Sequence, residues 1–190
     1  MDDRRAAAHG STMTTTTSQA DSGIAAHVRI RPLTPADRDA LAAAFARLSY
    51  DTRRRRFGAL ASRLGEGELD QLTQIDHHDH EALVAIAPET GRIVAVARYV
   101  ALPDDLGSAE VAIAVDDDWQ GVGIGRRLVA ELSERARAEG TTRLLAYVAP
   151  DNRRVVDWVR RAGGVIEASD HDAILFSVAL DRRAERRRAA

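Results

Sequence analysis

Between residues 27 and 180 the apolar side chains keep changing period, and that alternation leaves few folds open. In "HVRIRPL" they recur at every second residue, the spacing of a strand. "TPADRDALAAAFARLS" then sets Leu41, Ala44, Phe45 and Leu48 on one helical stripe, behind Thr34 at the N-cap and Pro35 at the first helical position. "YDTRRRRFGALASRL" shows neither period and stays unassigned, and "GEGELDQLTQI" reads as a second short helix. "EALVAIAP" and "GRIVAVARYVAL" are strands joined by the hairpin signal "ETG", and "SAEVAIAV" is a third apolar strand. "GIGRRLVAELSERARAEG" is a strong helix with Leu128, Leu132 and Ala136 in line and Gly140 ending it. "TRLLAYVAP" is a strand, and "DNRRVVDWVRRAGG" is a helix begun by Asp151 or Asn152 and stopped by Gly163. "GVIEAS" and "DAILFSVAL" close the pattern as a strand pair. The predicted order is β-α-α-β-β-β-α-β-α-β-β, which buries its stripes as a mixed sheet with helices on both faces.

The two ends lack this pattern. Residues 1–26 are Thr, Ser, Ala and charge with almost no large apolar residue, and are expected to be disordered. The last ten residues, "DRRAERRRAA", hold five arginines against two acids, a basic tail with a local charge of +3 over 181–190. The chain as a whole carries a formal charge of −2, which argues against a nucleic-acid partner. There is no cysteine, which excludes disulfides, thiolate nucleophiles and thiolate metal sites. All 27 basic residues are arginine, so a P-loop lysine and a Schiff base are excluded too. No apolar run approaches the roughly 20 residues that a membrane span needs, and no signal-peptide core is present. A cytoplasmic protein with no membrane partner is the expectation.

"QGVGIGRR", residues 120–127, is the most informative short stretch. Its glycines link a buried strand to a helix N-terminus, where backbone N–H groups lack intrahelical acceptors and the dipole is positive. A phosphate or diphosphate fits there, with Arg126 and Arg127 adding charge; a tight turn with no ligand is the alternative. A Rossmann fingerprint fails because Arg126 stands where the third glycine belongs, and a P-loop fails for want of lysine.

The pattern Gln120-x-x-Gly123-x-Gly125, after a strand and before a long helix, resembles the acyl-CoA motif of the GNAT superfamily of N-acyltransferases. The element order agrees, so the resemblance covers about residues 27–180. Within the superfamily, "RPLTPADRDALAAAFARLSYDTRRRRF", "LDQLTQIDHHDHEALVAI" and "AEVAIAVDDDWQGVGIG" look like the acetyltransferase domain of bacterial Pat-type protein lysine acetyltransferases. The resemblance implies an α/β (α+β) GNAT fold. Its sheet would be mixed, mostly antiparallel and of six to seven strands, with helices on both faces and a splayed V between the two central strands.

It also implies acetyl-CoA as co-substrate, with no metal, and an amine acceptor. A protein lysine side chain comes first, a small-molecule amine second, and a non-catalytic acyl-CoA sensor stands as a third class. Superfamily members are often dimers, which leaves a homodimer open. In this resemblance the backbone of Gln120, Gly121, Val122, Gly123, Ile124, Gly125 and Arg126 holds the diphosphate. The pantetheine arm pairs with backbone near Ile113 and Val115, as an added strand would. Asn152 either contacts the cofactor or serves as a plain N-cap.

Glu110, in "SAEVAIAV", is the candidate general base, since an alkyl ammonium with a pKa of about 10.4 must lose a proton before it attacks. Partial burial would lift its pKa toward the working range. The alternative is a structural carboxylate paired with an arginine such as Arg98. Glu110, Ala112 and Ala114 share one strand face, where small side chains leave room for substrate. Many members carry a thiolate-protonating tyrosine seven residues after the asparagine; here that position is Val159, which leaves Tyr147, Tyr99 or water.

Three further features have alternative readings. "DHHDH", 76–80, is either a solvated turn, with acceptor contact in the resemblance, or a metal site. "RRRRF", 53–57, is either a solvated helix face with Phe57 in the core or an anion contact. Trp119 and Trp158 are read as core residues, with a substrate cage as the alternative.

Overall fold

The computed structural model describes residues 27–57 and 63–180. The expectations for 1–26 and 181–190 lie outside the described residues. The strands are β1 (Arg29–Pro32), β2 (His80–Ile86), β3 (Ile93–Ala101), β4 (Ser108–Val115), β5 (Arg143–Val148), β6 (Val165–Ser169) and β7 (Ile174–Ala179). The helices are α1 (Arg38–Arg47), α2 (Tyr50–Phe57), α3 (Glu66–Thr73), α4 (Ile124–Ala138) and α5 (Arg153–Arg161). The strands form one seven-stranded sheet in the order β1-β2-β3-β4-β5-β7-β6. All neighbours are antiparallel except β4 and β5, which are parallel.

The predicted order lacks one helix, α2, because that helix has no buried residue and so no apolar stripe to find. It is held instead by polar contacts at its start. Ser49 Oγ accepts the Thr52 N–H at 3.2 Å, a standard N-cap bond. The Asp117 carboxylate accepts from Ser49 N at 2.8 Å and from Thr52 Oγ1 at 2.8 Å. Asp51 in the first turn and Arg54, Arg55 and Arg56 in the last suit the helix dipole. Before α1, a short 3-10 turn over Pro35–Asp37 follows the Thr34 cap, with Asp37 accepting the Thr34 N–H at 2.9 Å.

The sheet is covered on both faces. On one, α4 lays Ile124, Leu128, Leu132 and Ala136 against Leu83, Ala85, Ala97 and Tyr99, with Val111, Ile113 and Val115 packed alongside. On the other, Leu41 of α1 and Leu69 of α3 pack on Ala82, Val84, Ile86 and Ile93. α5 buries Val156 and Val159 against Val148 and Phe176. No helix among the described residues is long and apolar enough to cross a membrane.

Candidate active site

β4 and β5 pair only at Ser108 with Arg143, Ala109 with Leu144 and Glu110 with Leu145. Past Glu110 the two strands part, although β4 runs on to Val115 and β5 to Val148. The continuous ladder that would close this space is absent among the described residues, and the splayed V is present. Ile113 and Val115 turn their side chains toward the α4 core, leaving their backbone on the edge of the gap.

The glycine loop lies at the wide end of the gap. Gly121 and Gly123 have φ of 89° and 95°, a region open to glycine at little cost, and Gly123 caps α4 in that conformation. The helix opens with the Arg127 N–H donating to the Gly123 carbonyl at 3.1 Å. The amides of Ile124, Gly125 and Arg126 therefore precede the first intrahelical bond and point out of the helix end. Gly125 lets α4 lie tight on β4, since a Cβ there would stand 3.1 Å from Ile113 Cδ1 and 3.5 Å from Val115 Cγ2. Val122 and Trp119 pack against the α4-side core. The Gln120 side chain turns back, its Nε2 donating to the Val115 carbonyl at 3.1 Å and to Thr52 Oγ1 at 3.2 Å. These bonds tie the loop to both β4 and α2.

The charge around the loop differs from the "RR" reading. Arg126 is exposed, while Arg127 reaches away to donate to the Val28 carbonyl at 3.0 Å. The second cation at the loop is Arg154, from the first turn of α5: a Cβ on Gly121 would meet its Nη2 at 2.6 Å. Asn152 occupies the N-cap position of α5, where its carbonyl accepts from Val155 and Val156 at 3.0 Å, but its side chain makes no capping bond. Diphosphate chemistry asks for unpaired amides, a positive-φ loop that admits oxygen atoms and nearby guanidinium, and the residues here provide all three.

On the other side of β4, Glu110, Ala112 and Ala114 share a face opposite Val100, Arg98 and Val96 of β3. A small groove open to solvent, with a cavity volume of about 50 Å³, runs between this face and α1–α2; Ala112, Ala114, Phe45 and Leu48 are among its lining residues. Glu110 is exposed, and its side chain forms no hydrogen bond or ion pair among the described residues. The arginine beside it is Arg56 of α2, not Arg98. Burial pulls the Arg56 guanidinium down and the Glu110 charge opposes that pull. The expected partial burial of Glu110 is not found: it is exposed, at the last rung that β4 shares with β5 and outside the lining of the groove. Arg54 and Arg55 both pair with Asp151 ahead of α5, so α2 spans the distance from the groove to the far side of the gap. Phe57 packs edge-on against Phe45 with ring centroids 5.0 Å apart.

The remaining candidates resolve as follows. "DHHDH" is a hydrogen-bonded turn in which Asp76 Oδ1 accepts from the His78 and His80 amides at 2.9 and 2.8 Å. His77 and Arg135 engage Glu81, and His78 pairs with Glu139; no metal-holding group of His, Cys, Asp and Glu occurs among the described residues. Tyr99 does not serve as a proton donor. It is 1% exposed, its hydroxyl donates to the His78 carbonyl at 2.8 Å, and burial followed by nearby carboxylates pushes it up to about 12. Tyr147 is exposed on β5, beside the unpaired stretch. Val159 is a buried core residue of α5. Sequence patterns miss Arg98, beyond its reading as an ion-pair partner, and Arg154; Arg56 falls within the anion-contact reading of "RRRRF", and the signal for α2 lies in the Ser49-x-x-Thr52 cap.

A parallel central pair that opens into a V, with a glycine-rich turn and helix N-terminus at its mouth, defines an acyl-CoA-dependent transferase fold. Residues 42–164 match the model of the acetyltransferase (GNAT) family, and the chain belongs to that family as an acetyl-CoA-dependent N-acetyltransferase. It is 32% identical over 158 residues to the acetyltransferase PA5475 of Pseudomonas aeruginosa, covering 81% of this chain and 84% of that protein. It is 33% identical over 145 residues to the acetyltransferase Pat of Mycolicibacterium smegmatis, covering 72% of this chain and only 43% of the longer relative. The GNAT domain of S. lividans PAT superposes with a TM-score of 0.74 at 26% identity, over 80% of this chain and 90% of that domain. A cAMP-binding acyltransferase from Mycobacterium smegmatis superposes with a TM-score of 0.57 at 28% identity, over 81% of this chain and 44% of that protein.

Proposed function

We propose that the chain moves an acetyl group from acetyl-CoA to a primary amine by direct attack in a ternary complex, with Glu110 as the general base. The observation that carries this reading is the position of Glu110: it is the last paired residue before β4 and β5 separate, so a thioester lying in the V ends beside its carboxylate. The amides of 121–126, with Arg126 and Arg154, hold the diphosphate, and the pantetheine arm follows the free edge of β4 at Ile113 and Val115. Asn152 lies on the same side, with its side chain free of capping duty.

The amine enters from the groove on the Ala112 and Ala114 face. Glu110 takes its proton, the nitrogen attacks the thioester carbon, and a β4 amide stabilises the tetrahedral oxyanion. Collapse breaks the carbon–sulfur bond, and the second proton of the attacking nitrogen, shed as the amide forms, passes to the departing CoA thiolate through water or Tyr147. No covalent acyl-enzyme is needed, and the chain has no cysteine to form one.

A protein lysine as acceptor rests on the likeness to Pat proteins. A small-molecule amine is supported by the groove itself, which runs beneath α1 between Leu41 and Phe45 and the Ala112 and Ala114 face of β4. The test is Glu110→Gln, read as CoA release and as acetyl-CoA affinity. Turnover should fall by about 10²-fold or more while affinity stays within twofold. Retained turnover removes the base role. Acetyl-CoA binding with no transfer to any amine by the parent protein would leave a sensor module.

A further inference from the structure

The groove under α1 and α2 is walled mostly by carbon, yet two guanidiniums, Arg56 and Arg98, line it. Arg98 is 8% exposed. Its Nη2 donates to the Leu72 carbonyl at 2.8 Å, and its Nε is buried with no partner. No carboxylate lies within ion-pair distance of either arginine among the described residues, and Glu110 is the one acid felt by Arg56. Asp116, at the other end of the groove, is already paired with Arg47. His80, in the row of Val100 and Glu110, is kept toward its neutral form by burial and then by Arg98. Burial pulls Arg98 down to about 10, helped by the neighbouring Arg56 charge. A buried cation with an unmet donor is costly unless an anion completes it.

The geometry points to a carboxylate subsite: Arg98 and Arg56 hold the carboxylate of a small amino-acid acceptor whose amine lies at Glu110. This rests on the acetyl-transfer reading above and names the substrate class. Spacing supports it. Arg98 is paired with Ala112 and Glu110 with Val100, so Arg98 and Glu110 are diagonal neighbours on one face. Such diagonal neighbours lie about 7–8 Å apart, with their Cβ atoms somewhat closer, so both side chains rise from one small area of the sheet. Charge supports it too. The Arg56 guanidinium beside Glu110 favours the neutral, nucleophilic form of the amine, and together with Arg98 it opposes entry of a lone ammonium. The same carboxylate chemistry could arrive on the donor instead, as a dicarboxylic acyl-CoA.

The experiment offers the protein acetyl-CoA with free L-amino acids and short ω-amino acids, each beside its carboxamide, and reads CoA release. A second arm compares succinyl-CoA with acetyl-CoA on a neutral amine, and a third uses lysine-containing peptides. The acid should exceed its carboxamide by tenfold or more in kcat/KM. That ratio should collapse to within twofold in Arg98→Met and partly survive in Arg98→Lys; Arg56→Met replaces the first variant if circular dichroism shows it unfolded. Equal rates for acid and carboxamide, a preference appearing only for succinyl-CoA, or turnover confined to peptides would each overturn the subsite. Calorimetry on the parent separates the two levels: uptake of acetyl-CoA without acid preference sinks the subsite alone, and no uptake sinks the transfer reading with it.

Discussion

Gly121→Ala isolates the backbone geometry of the loop. Gly121 has φ of 89°, and a Cβ there would come within 2.6 Å of Arg154 Nη2. The steric part is cheap, because the contact is the far end of a flexible side chain that can swing away. The backbone part is not: an L-residue held in the left-handed region costs about 1–2 kcal/mol. At about 2–4 °C per kcal/mol for a domain of this size, Tm should fall by about 2–8 °C. If the loop relaxes instead, its amides lose their aim. Each charge-assisted hydrogen bond to phosphate is worth about 1.5–3 kcal/mol, so CoA affinity should drop by about 10- to 100-fold. Differential scanning fluorimetry and calorimetry read the two quantities separately. Gly121→Asn, which tolerates this conformation, should recover much of the loss. Removing Arg154 in the Gly121→Ala background should not recover stability, since the strain lies in the main chain. A Gly121→Ala protein with unchanged Tm and unchanged CoA affinity would refute this account of the loop.

Two further outcomes are expected. Hydrogen bonds from Arg31, opposed by burial, hold the Asp37 carboxylate down at about 2, against about 3.9 when unfolded, so their contribution is full above about pH 4 and fades as pH falls toward 2. Asp37→Asn should therefore cost about 1–2 kcal/mol at pH 7, discounted for the part-exposed Arg31, and urea melts of variant and parent should converge near pH 2; a gap that persists at pH 2 would contradict the assignment. Val159→Tyr should not raise turnover, because residue 159 faces Val156 and Phe176 in the core and abuts Gly164; overpacking should cost about 1–3 kcal/mol, visible as a lowered Tm, and a faster enzyme would contradict it.

Elements with an apolar period are legible in the amino-acid sequence. "SAEVAIAV" coincides with β4, and the Leu128, Leu132 and Ala136 stripe is the buried face of α4. α2 is not legible, because four successive arginines carry no stripe and the helix is fixed by Asp117, 65 residues on from Thr52. The opening of the sheet is a property of β4 and β5 together, and neither strand's own sequence says where their pairing stops. Arg98 misleads for a related reason. In an alternating strand a charge usually marks the solvent face, but Arg98 lies where the sheet is covered next to α3, its Nη2 donating to the Leu72 carbonyl, while Val100 two residues on is exposed. Arg154 reaches the glycine loop only through the fold, from a helix that begins 32 residues after Gly121.

The central claim is that bare amides at the start of α4 take a diphosphate while the V takes the arm attached to it. Calorimetry with CoA and with pantetheine, which has the arm but lacks the diphosphate, tests it most directly. The account predicts measurable one-to-one uptake of CoA and at least about 100-fold weaker uptake of pantetheine, the worth of one or two charge-assisted hydrogen bonds. No uptake of CoA at millimolar concentration by folded protein, or equal affinity for the two compounds, would contradict it.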